Sequence, residues 1–180
     1  FKYFPNVKSV ISLGYNYYTG EHHINNKDFK ISNYAWGDDY HKVIKKKLFK
    51  IINIIKNKNI NPEYRVCVDT APILEKKWAQ KSGLGWIGKH TNLINKDIGS
   101  WFFISEILLD FELEYNKPFI EDLCGTCTKC IEACPTDALI DDYILDANKC
   151  ISYLTIEHRE KIPSTLENTL DNWIYGCDIC

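Results

Sequence analysis

Two hydrophobic rhythms organise the chain up to about residue 110, and a cysteine pattern takes over after residue 120. Ser9 to Tyr18 is β-branched and aromatic and is bounded by polar residues, which predicts a strand buried largely on both faces. Thr19 to Asn33 is polar and turn-rich, long enough for a functional loop, and its adjacent His22 and His23 read as solvated. From Asp38 to about Lys58 the apolar residues Tyr40, Val43, Ile44, Leu48, Ile51, Ile52 and Ile55 recur at steps of three and four. That period predicts an amphipathic helix with Asp38 near its N-cap. The lysines of the other face, among them Lys42, Lys46 and Lys50, read as a solvated surface rather than a nucleic-acid patch.

Tyr64 to Asp69 predicts a short strand ending in a carboxylate, and Thr70-Ala71-Pro72 opens a helix from Ile73 to about Lys81. A carboxylate in that place is commonly a helix cap. Gly83, Gly85 and Gly88 then let the backbone turn tightly and approach something large, and Lys89, His90, Thr91 and Asn92 supply polar ends. The glycines match the dinucleotide-binding pattern as letters, but they follow a helix where that motif needs a strand. Trp101 to Asp110 predicts another buried strand. Phe111 to Glu121 is more polar and holds Pro118, which divides the chain into domains of residues 1–115 and 116–180.

The second domain opens on Cys124, Cys127, Cys130 and Cys134 at spacings of two, two and three residues, followed by Pro135. Three cysteines of such a run wrap one [4Fe–4S] cluster, while the fourth, next to the proline, ligates a second. Cys134, Cys150, Cys177 and Cys180 therefore make a complete set for the second cluster. Cys124, Cys127 and Cys130 are one ligand short, which predicts a further Cys-Pro beyond Cys180 and a chain cut at its C-terminus. Structural zinc also takes paired Cys-x-x-Cys and is the alternative, although the third close cysteine and the Cys-Pro suit a cubane better. Residues 135–146 have the short-helix and hairpin rhythm of a bacterial ferredoxin.

Composition narrows the classes. Apolar residues at 45% allow a real core, and a net charge of −2 with a pI near 6.2 gives no basic footprint for nucleic acid. There is no methionine, in keeping with a chain cut at both ends; no signal peptide or membrane span is visible, and eight cysteines favour a reduced compartment, the cytoplasm. Cys67 stands apart as a small buried hydrophobe.

Taken together, Val68 to Glu75, Gly83 to Thr91, Gly99 to Phe103, the cysteine run, Cys150 to Thr155 and Tyr175 to Cys180 resemble the epoxyqueuosine reductases, and Tyr34 to His41 fits as well. The resemblance implies an α+β architecture, a partial nitroreductase-like cobalamin-binding domain followed by a ferredoxin-like domain. It implies reduction of epoxyqueuosine to queuosine at the wobble position of tRNA, using cobalamin and two [4Fe–4S] clusters, with an electron donor protein as a further partner. It makes Asp69 the proton donor, and puts His90, Thr91, Asn92 and Ser152 along the corrin. Such an acid must be protonated, so Asp69 is expected to be desolvated against corrin and substrate. The Asp-x-His-x-x-Gly cobalamin motif is absent, because Asp39 to Ile44 lacks the glycine; this agrees with a cobalt that has no protein histidine below it. An electron-transfer module, a flavin-dependent reductase fused to a ferredoxin, and a reductive dehalogenase are the rival readings.

Overall fold

The computed structural model of the chain describes residues 2–20 and 29–180, so His22 and His23 lie outside the described residues. It has two compact units, neither continuous in sequence: Phe1–Tyr17, Gly37–Trp86 and Leu93–Glu121 form the first, and Tyr18–Trp36, Ile87–Asn92 and Asp122–Cys180 the second. The sequence places one cut near residue 115, whereas the chain enters the second unit twice before that. Backbone pairing is the reason: Lys30 N–H donates to Asn172 at 2.8 Å, Ser32 N–H to Tyr175 at 2.8 Å, and Tyr143 N–H to Lys89 at 2.9 Å.

In the first unit, β1 (Ser9–Asn16), β3 (Tyr64–Cys67) and β6 (Phe102–Leu109) form an antiparallel sheet in the order β1-β6-β3. The central strand alternates between two apolar layers. Ile107 and Leu109 pack with Val68 and with Ile44, Leu48 and Ile52 of helix α1 (Tyr40–Lys56), while Leu108 packs on the other face with Cys67, Phe4 and Ile73. Cys67 is thus the small buried hydrophobe that the sequence suggests. The expectation of a doubly buried first strand needs correction: among the described residues β1 is an edge strand, buried at Ser9, half-buried from Val10 to Leu13 and exposed from Gly14 on, where no further layer covers its end.

The helical period of α1 holds, with Asp39 rather than Asp38 as the cap, its carboxylate accepting from His41 N–H at 3.0 Å. Helix α2 (Glu75–Lys81) begins two residues later than expected. Pro72 has no N–H to give and disfavours helical geometry at Ala71, so residues 70–74 make a turn. A short hairpin, β4 (Trp86–Ile87) and β5 (Leu93–Ile94), follows. Gly85 is obligatory there, since an added Cβ would lie 2.0 Å from the Ile94 carbonyl oxygen.

The second unit holds β2 (Lys30–Ile31), which pairs in parallel with β9 (Trp173–Tyr175), so the polar segment read as a loop contains a strand. After it come α3 (Lys129–Ala133), a hairpin of β7 (Leu139–Asp141) and β8 (Ile144–Leu145), then α4 (Ile151–Ile156) and α5 (Ser164–Glu167). This is the helix-and-hairpin rhythm expected of the cysteine module. Among the described residues, no helix is long and apolar enough to cross a membrane.

Ile107→Ala removes a fully buried side chain between sheet and helix, and should cost about 2–5 kcal/mol in urea unfolding. Ile54→Ala, on the exposed face of α1, should stay within about 0.5 kcal/mol.

Candidate active site and cluster ligands

Asp69 follows β3 and Val68, at a corner where the backbone takes φ +60°. A non-glycine residue holds that conformation at a cost of about 1–2 kcal/mol, so its surroundings must fix it. They do so from two sides. Asp69 N–H donates to Glu75 Oε1 at 2.7 Å, and Asp69 Oδ2 accepts from the Tyr40 hydroxyl at 2.7 Å. His41 Nε2 lies 3.4 Å from the same oxygen, an ion-pair distance, and its Nδ1 lies 3.0 Å from Asp39 Oδ1. Tyr40 is stacked on Phe103 of β6 with ring centroids 4.2 Å apart, which aims the hydroxyl. The Asp69 carboxylate is therefore not the cap of α2; the corner is instead held by the first residue of that helix. Its side chain is 60% exposed, so any desolvation must come from what binds over it.

Behind the corner the charges are unusual. Glu106, in the middle of β6, is fully buried, and neither carboxyl oxygen has a hydrogen-bond partner among the described residues. Burial, and then the charge of Glu75, push its carboxyl up to about 8. Burial likewise raises Glu75, opposed by the bond from Asp69 N–H. Cys67 is pushed up to about 11 by burial and then by the charges of Glu106 and Glu75. Sequence reasoning missed Tyr40, Glu75 and Glu106 as members of this site, and weighed His41 only as a cobalt ligand. The available signal was a glutamate in the centre of an otherwise apolar strand.

In the second unit, burial and neighbouring thiols act together on the cysteines. Cys130 is raised by burial and further by Cys124 and Cys127. Cys177 is pushed up to about 12 by burial, with Cys180 and Cys150 adding to it, and Cys180 to about 12 by burial, then Cys134 and Cys150 ahead of Cys130. Burial also opposes ionisation of Cys134, but bonds from the Thr136 hydroxyl and from Ala138 N–H, at 3.3 Å to sulfur, outweigh it and hold that thiol below its ordinary value. Such donors to sulfur are the usual means of tuning a bound cluster.

The supports of these cysteines are local. Asp122 accepts from Cys124 N–H at 2.9 Å. Asp178 accepts from Ser32 Oγ and from Asn33 N–H, the latter at 2.8 Å, fixing the segment between Cys177 and Cys180. Gly176 is required, since a Cβ would lie 2.6 Å from that of Ser32. Among the described residues no three His, Cys, Asp or Glu side chains converge tightly enough for a single metal ion. A cubane, whose thiolates bind separate irons, does not ask for that convergence.

The loop 88–92 is closed by Gly88 N–H donating to Asn92 at 2.8 Å and Thr91 N–H to Gly88 at 2.8 Å, with Thr91 at φ +67°. His90 is buried and its Nδ1 accepts from Asn92 N–H at 3.1 Å; Lys89 is buried against Asp142 at 2.9 Å. Ser152 is half-buried on α4. The structure thus puts His90, Thr91, Asn92, Ser152 and the seven cysteines in the second unit and Asp69 in the first. A cavity of about 470 Å³ lined by Ser9, Ile11, Trp78, Lys81, Ser82 and Tyr115 holds none of the residues expected at the site.

A family model described as "Epoxyqueuosine reductase QueG, DUF1730" matches residues 1–70, and one described as "4Fe-4S double cluster binding domain" matches residues 123–180. The epoxyqueuosine reductase of Leadbetterella byssophila is 52% identical over 97% of the chain, and that of Cyclobacterium marinum 48% over 97%. Over nearly its whole length the chain is similar to the epoxyqueuosine reductases. It spans 57% and 56% of those two relatives, about half their length. Among solved structures, an epoxyqueuosine reductase with an epoxyqueuosine-modified tRNA-Tyr stem loop matches with a TM-score of 0.85 and 31% identity, over 98% of this chain and 48% of that one. The Bacillus subtilis reductase, with its catalytic aspartate loop swung out of the active site, matches with a TM-score of 0.81 and 30% identity, over 98% and 47%.

Cys150→Ala should remove about four irons per chain after reconstitution, and Cys67→Ala none, as read by iron assay. Because the raised thiols must lose protons to bind iron, reconstitution should be less complete at pH 6 than at pH 8.

Proposed function

We propose that this chain carries the catalytic acid and the electron relay of an enzyme that reduces epoxyqueuosine to queuosine at the wobble position of tRNA. The observation that carries the reading is the Asp69 corner: an exposed carboxylate on a strained turn, held from behind by Glu75 and flanked by Tyr40 and His41. Removing the epoxide oxygen as water consumes two electrons and two protons. The carbon–oxygen bond breaks more readily when that oxygen is protonated as it leaves. Asp69 donates that proton; covering by bound substrate would favour its acid form. Tyr40 orients the carboxyl, and His41, paired with Asp39, stands ready to return a proton to it.

The cysteines hold the relay as two [4Fe–4S] clusters, Cys134, Cys150, Cys177 and Cys180 around one and Cys124, Cys127 and Cys130 contributing to the other. The thiol-rich donor set and the N–H donors aimed at Cys134 suit that role. In a nitroreductase-like arrangement, the tight loop with His90, Thr91 and Asn92, together with Ser152, offers hydroxyl and amide groups suited to the amide side chains of a corrin. Cobalamin, when bound there, supplies the two-electron reductant. A tRNA partner is supported by the modified stem loop bound to the relative, and an electron donor protein and a cytoplasmic location complete the reading.

Asp69→Asn should lower turnover of an epoxyqueuosine-modified stem loop by about 10²–10⁴-fold while leaving its binding intact. An unchanged pH–rate profile would exclude Asp69 as the acid. Corrin absorbance in the purified holoprotein is expected; flavin bands in its place would favour the flavin-dependent alternative.

A further inference from the structure

The carboxyl groups behind Asp69 have no part in the proton donation proposed above. Glu106 sits opposite Ser12 of β1 and Cys67 of β3 in register. It shares the sheet face of Leu108, away from α1. Helix α2 covers that face: Ser82, at its end, donates to Ser12 Oγ at 3.2 Å, and Ala79 is fully buried. Glu75 lies four residues before Ala79, one turn away on the same side of the helix. Its Oε1 holds the backbone N–H of Asp69.

We infer that Glu75 is the latch of the Asp69 corner, and that Glu106, by keeping its own proton, keeps the latch set; both are positioning residues for the acid. The inference rests on reading Asp69 as that acid. Glu106 is fully buried with neither oxygen partnered among the described residues, and the charge of half-buried Glu75 acts on it; two such carboxylates do not both ionise readily. With Glu106 neutral, Glu75 carries the negative charge and accepts from Asp69 N–H. When Glu106 ionises, the second anion repels Glu75 and the corner loses its anchor.

The other groups facing the pair do not relieve that repulsion. Cys67 is a neutral thiol across much of the pH range, Ser12 is uncharged, and Asp69 is itself acidic. His41 and Lys76 rank last among the influences on Glu75, as Lys45 and Arg65 do among those on Cys67. The corner is therefore held while Glu75 is ionised and Glu106 is not, and it is released as the pH rises through about 8.

Hydrogen exchange of the peptide spanning residues 68–74, corrected for intrinsic base catalysis, reads the latch without turnover. Wild-type protein should lose about tenfold or more protection between pH 7 and 9, the worth of a hydrogen bond to a charged acceptor. Glu75→Ala should lack that protection at every pH, and Glu106→Gln should keep it at both. The alkaline limb of turnover near pH 8 should vanish in Glu106→Gln holoenzyme. If that variant does not fold, Glu75→Gln makes the same test, since it also removes the second anion and should abolish the pH dependence. Wild-type protection in Glu75→Ala, or an alkaline loss of protection that survives in both glutamine variants, overturns the inference. Exchange that behaves as expected alongside a fully active Asp69→Asn enzyme would leave the latch standing and refute only the acid.

Discussion

Strand β6 is hydrogen-bonded on both edges and buried on both faces, and the first unit depends on that double constraint. Its pairing with β3 sets where Cys67 and Val68 lie, and so fixes the position from which Asp69 departs. Phe103 of the same strand stacks the ring that delivers the Tyr40 hydroxyl. Burial on the second face forces Glu106 to keep a proton that an exposed glutamate would lose. A strand with one solvated face would have given the same pairing, but neither the aromatic platform nor the buried acid.

The second unit works by a different physics. Its elements are short, from two to six residues each, and many of its apolar side chains, including Ile140, Ile144 and Ile174, are exposed. Helices and strands of that length gain little by themselves. Burial first, and neighbouring thiols after it, raise the proton affinity of Cys177 and Cys180, so these thiols stay neutral until a metal takes the place of their protons. Iron binding is therefore coupled to proton release and to assembly of the site. Capping by Asp122 and Asp178 and the tight turn at Gly176 hold the ligands in place for it.

How much of this the sequence reveals depends on the range over which each signal acts. The cysteine run is legible because ligand spacing is local and specific, and α1 because its apolar period runs through seventeen residues. Asp69 can be read as a strand-terminal carboxylate, but its partners cannot, since Tyr40, Glu75 and Glu106 arrive from three separate elements. Tyr40 was legible only as one more apolar position of a helix. The pairing of β2 with β9 leaves no pattern at all: strands of two and three residues are too short for a period. For the same reason the interleaving of the two units, decided by a few backbone bonds from Lys30, Ser32 and Lys89, lies beyond composition and periodicity.

The central claim is that one protein both relays electrons and spends them on an epoxide. Anaerobic single turnover tests it most directly: pre-reduced holoprotein is mixed with an epoxyqueuosine-modified stem loop, and queuosine formed is counted against electrons consumed. About one queuosine should form for each electron pair, with formation lost in Asp69→Asn while the clusters stay reduced. Reduced protein that gives up its electrons to a protein acceptor but leaves the epoxide intact would contradict it.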